Sequence, residues 1–140
     1  MLFGKKAKKR TGAYGFSKYD NEGRVIYSES KGVDRELVKH HYSYDDMGRR
    51  VYYAEYSNDV LTLEERKSYI NNLIYVESIW YKENVYKTTI VNDMGRELMI
   101  KSINLNNNTS ITKTFIPSTG TYDIKQSIEF FIPKNRLICI

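Results

Sequence analysis

The two histidines stand side by side at His40-His41, the first place to look for proton transfer or a metal ion. In an extended segment, neighbouring side chains point to opposite faces, so this pair is not set to share one ion. The acid pairs Asp45-Asp46 and Glu64-Glu65 lack the spacing of a standard metal motif. Cys139 is the one cysteine, which excludes an intrachain disulfide and a cysteine-rich metal site. It lies in the apolar run Leu137-Ile-Cys-Ile140, which reads as a strand end holding a packed thiol. The chain carries no P-loop, no G-x-G-x-x-G, no G-x-S-x-G and no H-E-x-x-H. No catalytic residue, cofactor or metal ion is therefore expected.

Charge offers a second kind of chemistry. The net charge of +5 is concentrated in Lys5, Lys6, Lys8, Lys9 and Arg10, within a first ten residues that hold no acid. Setting these five aside leaves 17 basic against 17 acidic side chains, so the remaining chain is balanced. Residues 1–12 read as a basic N-terminal arm, able to hold phosphate through counterion release or to act as a solvated terminus. Polar and aromatic residues follow it where the apolar core of a secretory signal would stand, so a cytoplasmic location is expected. No run reaches the roughly 18 apolar residues of a helical membrane span.

Behind the arm lies a recurring turn. Asp20-Asn-Glu-Gly-Arg24, Asp45-Asp-Met-Gly-Arg49 and Asn92-Asp-Met-Gly-Arg96 share the form [DN]-x-x-G-R, with apolar residues close behind. Gly23 and Gly48 are 25 residues apart, and Gly95 lies 47 further on, close to two such steps. The missing copy falls at Asn71-Asn72, where Leu73-Ile-Tyr-Val-Glu-Ser78 echoes Val25-Ile-Tyr-Ser-Glu-Ser30. One more step of 25 lands on Gly120. An Asp or Asn opening a type I turn caps the backbone, and Gly three residues on takes the positive φ of a bulged hairpin. About 25 residues accommodates two strands and two connections, so one repeat is one β-hairpin.

Between the turns, the residues alternate with period two. Val51, Tyr53 and Glu55 share one face, with Tyr52, Ala54 and Tyr56 opposite. Leu73, Tyr75, Glu77 and Ile79 oppose Ile74, Val76, Ser78 and Trp80. Tyr122, Ile124, Ile128, Phe130 and Ile132 line up in the last long strand. At 62–70, Thr62-Leu-Glu-Glu65 matches a helix capping box, but the repeat spacing needs a strand there, and the strand is preferred. The expectation is an all-β, antiparallel β-hairpin repeat meander of eight to ten strands. It is expected to be a single β-repeat domain over 13–140, curled as a half-barrel or folded as a two-sheet sandwich.

Tyr19-Asp-Asn-Glu-Gly-Arg-Val25 and Tyr44-Asp-Asp-Met-Gly-Arg-Arg50 resemble the tyrosine–aspartate (YD) repeats of Rhs proteins. The same pattern is similar to the MORN-like repeats of some bacterial antitoxin families. Asn92 and Ile116-Pro117 depart from the string. The resemblance implies a β-repeat surface presented to another protein, often in bacterial conflict systems.

Thirteen tyrosines are too many for alternation to bury in one core, so part of them should face outward. Tyr52, Tyr53, Tyr56, Tyr75, Trp80 and Tyr81 are the candidate partner-binding residues, because aromatic side chains on an open sheet suit protein contact. Cross-strand aromatic ladders that only hold the sheet together are the competing use. Arg24, Arg49 and Arg96 could read a ligand as a row, or bond locally across their own turns. The functional expectation is a non-enzymatic protein-binding module, an immunity- or antitoxin-like factor or a small assembly subunit. The alternative is a nucleic-acid-binding β protein whose arm (Lys5, Lys6, Lys8, Lys9, Arg10) grips phosphate while tyrosines stack on bases.

Overall fold

The structure is a computed structural model and describes residues 3–6 and 12–129. Every regular element is a strand, and the strand order in the sheet is the chain order. The elements are β1 (Phe3–Lys6), β2 (Tyr14–Tyr19), β3 (Val25–Lys31), β4 (Leu37–Tyr44), β5 (Arg50–Ser57) and β6 (Val60–Ile70). They continue as β7 (Leu73–Trp80), β8 (Val85–Asn92), β9 (Glu97–Asn104), β10 (Thr109–Ile116) and β11 (Thr121–Ile128). The all-β hairpin meander is thus the architecture, with the strands in one series rather than in the two sheets of a sandwich. The count exceeds the expected ten because Phe3–Lys6, within the expected basic arm, pairs with β2 from Phe3↔Tyr19 to Lys6↔Phe16. Lys8, Lys9, Arg10, Phe130, Ile132 and Cys139 lie outside the described residues.

The chain divides into two compact units, residues 1–64 and 65–140, with the division inside β6. In the first unit β1 to β5 pair in antiparallel succession. In the second, β7 to β11 do the same. The capping-box segment at 62–70 is strand, as the repeat spacing requires: its place between β5 and β7 in the sheet outweighs a local helix signal of one turn.

The turns explain the register. In all three [DN]-x-x-G-R units the Gly N–H donates to the first residue's carbonyl at 3.0–3.1 Å, and that residue's N–H donates to the Arg carbonyl at 2.9 Å. The Asp20, Asp45 and Asn92 side chains each accept two backbone N–H groups, from the third and fifth residues of the unit. Gly23, Gly48 and Gly95 have φ of 81°, 80° and 84°, and the pairing shifts by one residue beside each turn. This is a type I turn closed by a bulge. Asn71-Asn72 fills the missing position with φ of 49° and 64°, as a two-residue turn in which both residues are left-handed. Gly120 has φ of 71° at the expected last turn.

Little of either unit is interior. Among the described residues, the buried apolar side chains are Ala54 in the first unit and Ile79 and Ile103 in the second. Most strand residues are half-buried on both faces.

Candidate interaction surface

The motif arginines are used inside the fold. Arg24 Nε lies 2.8 Å from Asp20 Oδ2, and its guanidinium sits 4.8 Å from the Tyr44 ring centre in the next hairpin. Tyr44 in turn donates its hydroxyl to the Val25 carbonyl at 2.7 Å. The second unit repeats the device with other residues. Arg96 lies 4.6 Å from the Phe115 ring centre, and Tyr122 donates to the Glu97 carbonyl at 2.9 Å. Arg49 Nε bonds Asp45 Oδ2 at 2.8 Å. Arg24 and Arg49 thus bond the aspartate of their own turns, and Arg24 and Arg96 each reach a ring of the next hairpin. The backbone N–H of Arg24 first, and its side chain after it, hold the Asp20 carboxyl below the usual range; Arg49 does the same for Asp45.

The tyrosines follow a second rule: their hydroxyls go to glutamates. Tyr14 and Tyr27 both donate to Glu29, at 2.5 and 2.6 Å. Those two bonds hold the Glu29 carboxyl below its ordinary value. Tyr53 donates to Glu55 at 3.0 Å, Tyr52 to the buried Glu64 at 2.8 Å, and Tyr86 to Glu77 at 2.5 Å. Burial, then the glutamate, raises the hydroxyl pKa of Tyr27 and Tyr53, and pushes that of Tyr86 up to about 12. Three of the four acceptors stand in a Tyr-x-Glu string, Tyr27-Ser-Glu29, Tyr53-Ala-Glu55 and Tyr75-Val-Glu77, and Glu64 is the exception. This Tyr-x-Glu recurrence is the signal in the sequence that could have found the network.

The histidines fall on opposite faces of β4, as the alternation requires. His40 Nδ1 lies 2.6 Å from the Tyr53 hydroxyl. The Tyr53 hydroxyl thus stands between His40 and Glu55. His40 also stacks 5.7 Å from Tyr53 and 6.4 Å from Tyr42. His41 packs edge-on against Tyr27 at 4.9 Å and Tyr56 at 5.4 Å, where burial lowers its pKa. No group of three or more His, Cys, Asp or Glu side chains placed to hold a metal ion occurs among the described residues.

The six candidate aromatics do not form one patch. Tyr52 and Tyr56 share one face of β5, and Tyr53 occupies the other. All three are half-buried. In the second unit, Tyr75 is half-buried on one face of β7, while Trp80 lies on the opposite face at its end and Tyr81 in the following turn. Trp80 and Tyr81 are 38% and 40% exposed, and Trp80 Nε1 donates to Ser78 Oγ at 3.0 Å. Cross-strand ladders thus account for Tyr53 and Tyr56, and exposure singles out Trp80 and Tyr81.

Sequence reasoning lined up Tyr122, Ile124 and Ile128 at the end of the second unit but did not read that the line faces outward. Ile111 on β10 and Tyr122, Ile124 and Ile128 on β11 share a face and are exposed. The alternation of β11 placed Tyr122, Ile124 and Ile128 together, but no strand follows β11 among the described residues. Nearby, Asn92, Met94, Gly95, Arg96, Glu97 and Tyr122 line a shallow cleft at the third motif turn.

Comparison with family models, with curated proteins and with solved structures gives no match. No helix among the described residues is long and apolar enough to cross a membrane.

Proposed function

We propose that this chain is a non-enzymatic protein-binding module built of β-hairpin repeats, an immunity- or antitoxin-like factor or a small assembly subunit. The observation that carries the reading is the pairing of half-buried aromatic faces with so few buried apolar side chains. Only Ala54, Ile79 and Ile103 are buried apolar groups among the described residues, while Trp80 and Tyr81 stand open at the end of β7. Large aromatic groups in such positions gain most from a partner that removes them from water. The likeness of the Tyr19–Arg24 and Tyr44–Arg49 strings to YD repeats supports a partner from a bacterial conflict system.

The test is affinity capture with chemical cross-linking from the native host, comparing wild type with Trp80→Thr/Tyr81→Ser. A specific protein should be captured by wild type and lost in the variant, with the melting temperature of the variant kept. A captured protein unaffected by the double change would contradict the assignment of this surface. Capture of nucleic acid alone would support the other reading, if it weakens steeply with salt and with Lys5, Lys6, Lys8, Lys9 and Arg10 changed to Gln.

A further inference from the structure

β11 closes the sheet order, and each of its eight residues is exposed. Its inner side pairs with β10 along the whole length, from Thr109↔Ile128 to Ile116↔Thr121. Its outer side presents backbone N–H and C=O groups with no strand partner among the described residues. A long edge of this kind is a template for another strand. Ile124 and Ile128, 61% and 76% exposed, add apolar surface to it.

We propose that the occupant is β11 of a second copy, paired antiparallel about Ile124. The residue order of the strand favours that register. With Ile124 opposite Ile124 of the second copy, Asp123 meets Lys125 and Lys125 meets Asp123. Tyr122 then faces Gln126, and Thr121 faces Ser127. Both charges are neutralised by symmetry, and the faces carrying Ile124 become continuous. A register centred on Asp123 or on Lys125 sets like charges against each other. One shifted by a single residue sets Ile124 against Lys125, and so joins the apolar line to the opposite face. Because the contact is isologous, it occupies the β11 edge of each copy with the other's and stops at the dimer. Pairing β11 with β1 of the next copy would instead be head-to-tail and build a ring or an open filament.

Sedimentation velocity of the full chain over a rising concentration series tests this. Wild type should pass from monomer to dimer and no further. Asp123→Lys places Lys beside Lys twice and should weaken association by about tenfold, while Asp123→Lys/Lys125→Asp restores the opposite charges and the dimer. Ile124→Lys, which puts like charges on the axis, should weaken it independently. A chain that stays monomeric with β11 amides protected from hydrogen exchange would mean that another part of the chain covers this edge, and would overturn the proposal. Growth beyond the dimer, an unaltered dimer in Asp123→Lys, or failure of the charge swap to rescue would overturn it as well.

Discussion

Tyr44 and Arg24 give the repeated motif a physical meaning. The tyrosine that precedes one turn receives the arginine of the turn before it and returns a hydrogen bond to the residue just after that arginine. Tyr44→Phe keeps the ring contact and removes the bond to the Val25 carbonyl, so it should cost about 1 kcal/mol in urea unfolding. The turn glycines can be ranked in the same way. An added Cβ at Gly95 meets nothing within 4 Å, whereas at Gly48 it meets Arg24 Nη1 at 3.3 Å. Both hold positive φ, so Gly95→Ala should cost about 1–2 kcal/mol from backbone strain alone. Gly48→Ala should cost at least as much and also disturb the Arg24–Tyr44 contact, visible as a changed tyrosine ring signal in NMR spectra. These turns were legible in the sequence because a left-handed bend admits few residue types, and Gly, Asn or Asp stands where the chain reverses. That Arg24 and Arg96 reach a neighbouring hairpin was not legible, since the string of five residues contains only its own turn.

In each unit the strand pairs carry a hydroxyl–carboxylate network whose titration has a defined sign. Asp20, Asp45 and Glu29 are held below their ordinary values in the folded chain, so the unfolded chain binds protons first as the pH falls. Their contribution is complete above the unfolded values of about 4 and is lost below them. His41 acts in the same direction from about pH 6.5 downward, because its lowered value keeps the folded imidazole neutral while the unfolded one charges. Tyr27, Tyr53 and Tyr86 are raised, so the unfolded chain loses those protons first and stability declines as the pH climbs past about 10. Urea midpoints measured across this range should form a plateau with both flanks falling. Tyr27→Phe should soften the alkaline flank, and Glu29→Gln the acid one. The period-two alternation made the faces of these strands readable, and the repeat spacing put strand rather than helix at 62–70. The glutamate partners went unread because alternation marks which residues share a face, not which polar atoms meet across it. β1 was hidden for a different reason: Phe3-Gly-Lys-Lys6 has charge but no alternation, and only its pairing with β2 makes it a strand.

For the whole molecule, what matters is how few apolar side chains are fully buried among the described residues. A sheet whose turns are fixed by Asp, Asn and Gly and whose faces are joined by Tyr–Glu bonds can hold its register without a large apolar interior. That leaves Trp80 and Tyr81, and the Ile124 line, facing outward. Composition announced the tyrosine surplus. Which rings would be exposed depends on whether a further layer covers each face, and no local pattern encodes that. Trp80 is the chain's one tryptophan, so its fluorescence reports on a single place in the proposed contact surface. The most direct measurement is acrylamide quenching of that emission, for the chain alone and with its captured partner bound. Ready quenching is expected in the chain alone, and a blue shift with strong protection in the complex. Protection of Trp80 before any partner is added, or the same quenching with the partner bound, would contradict the proposed contact surface.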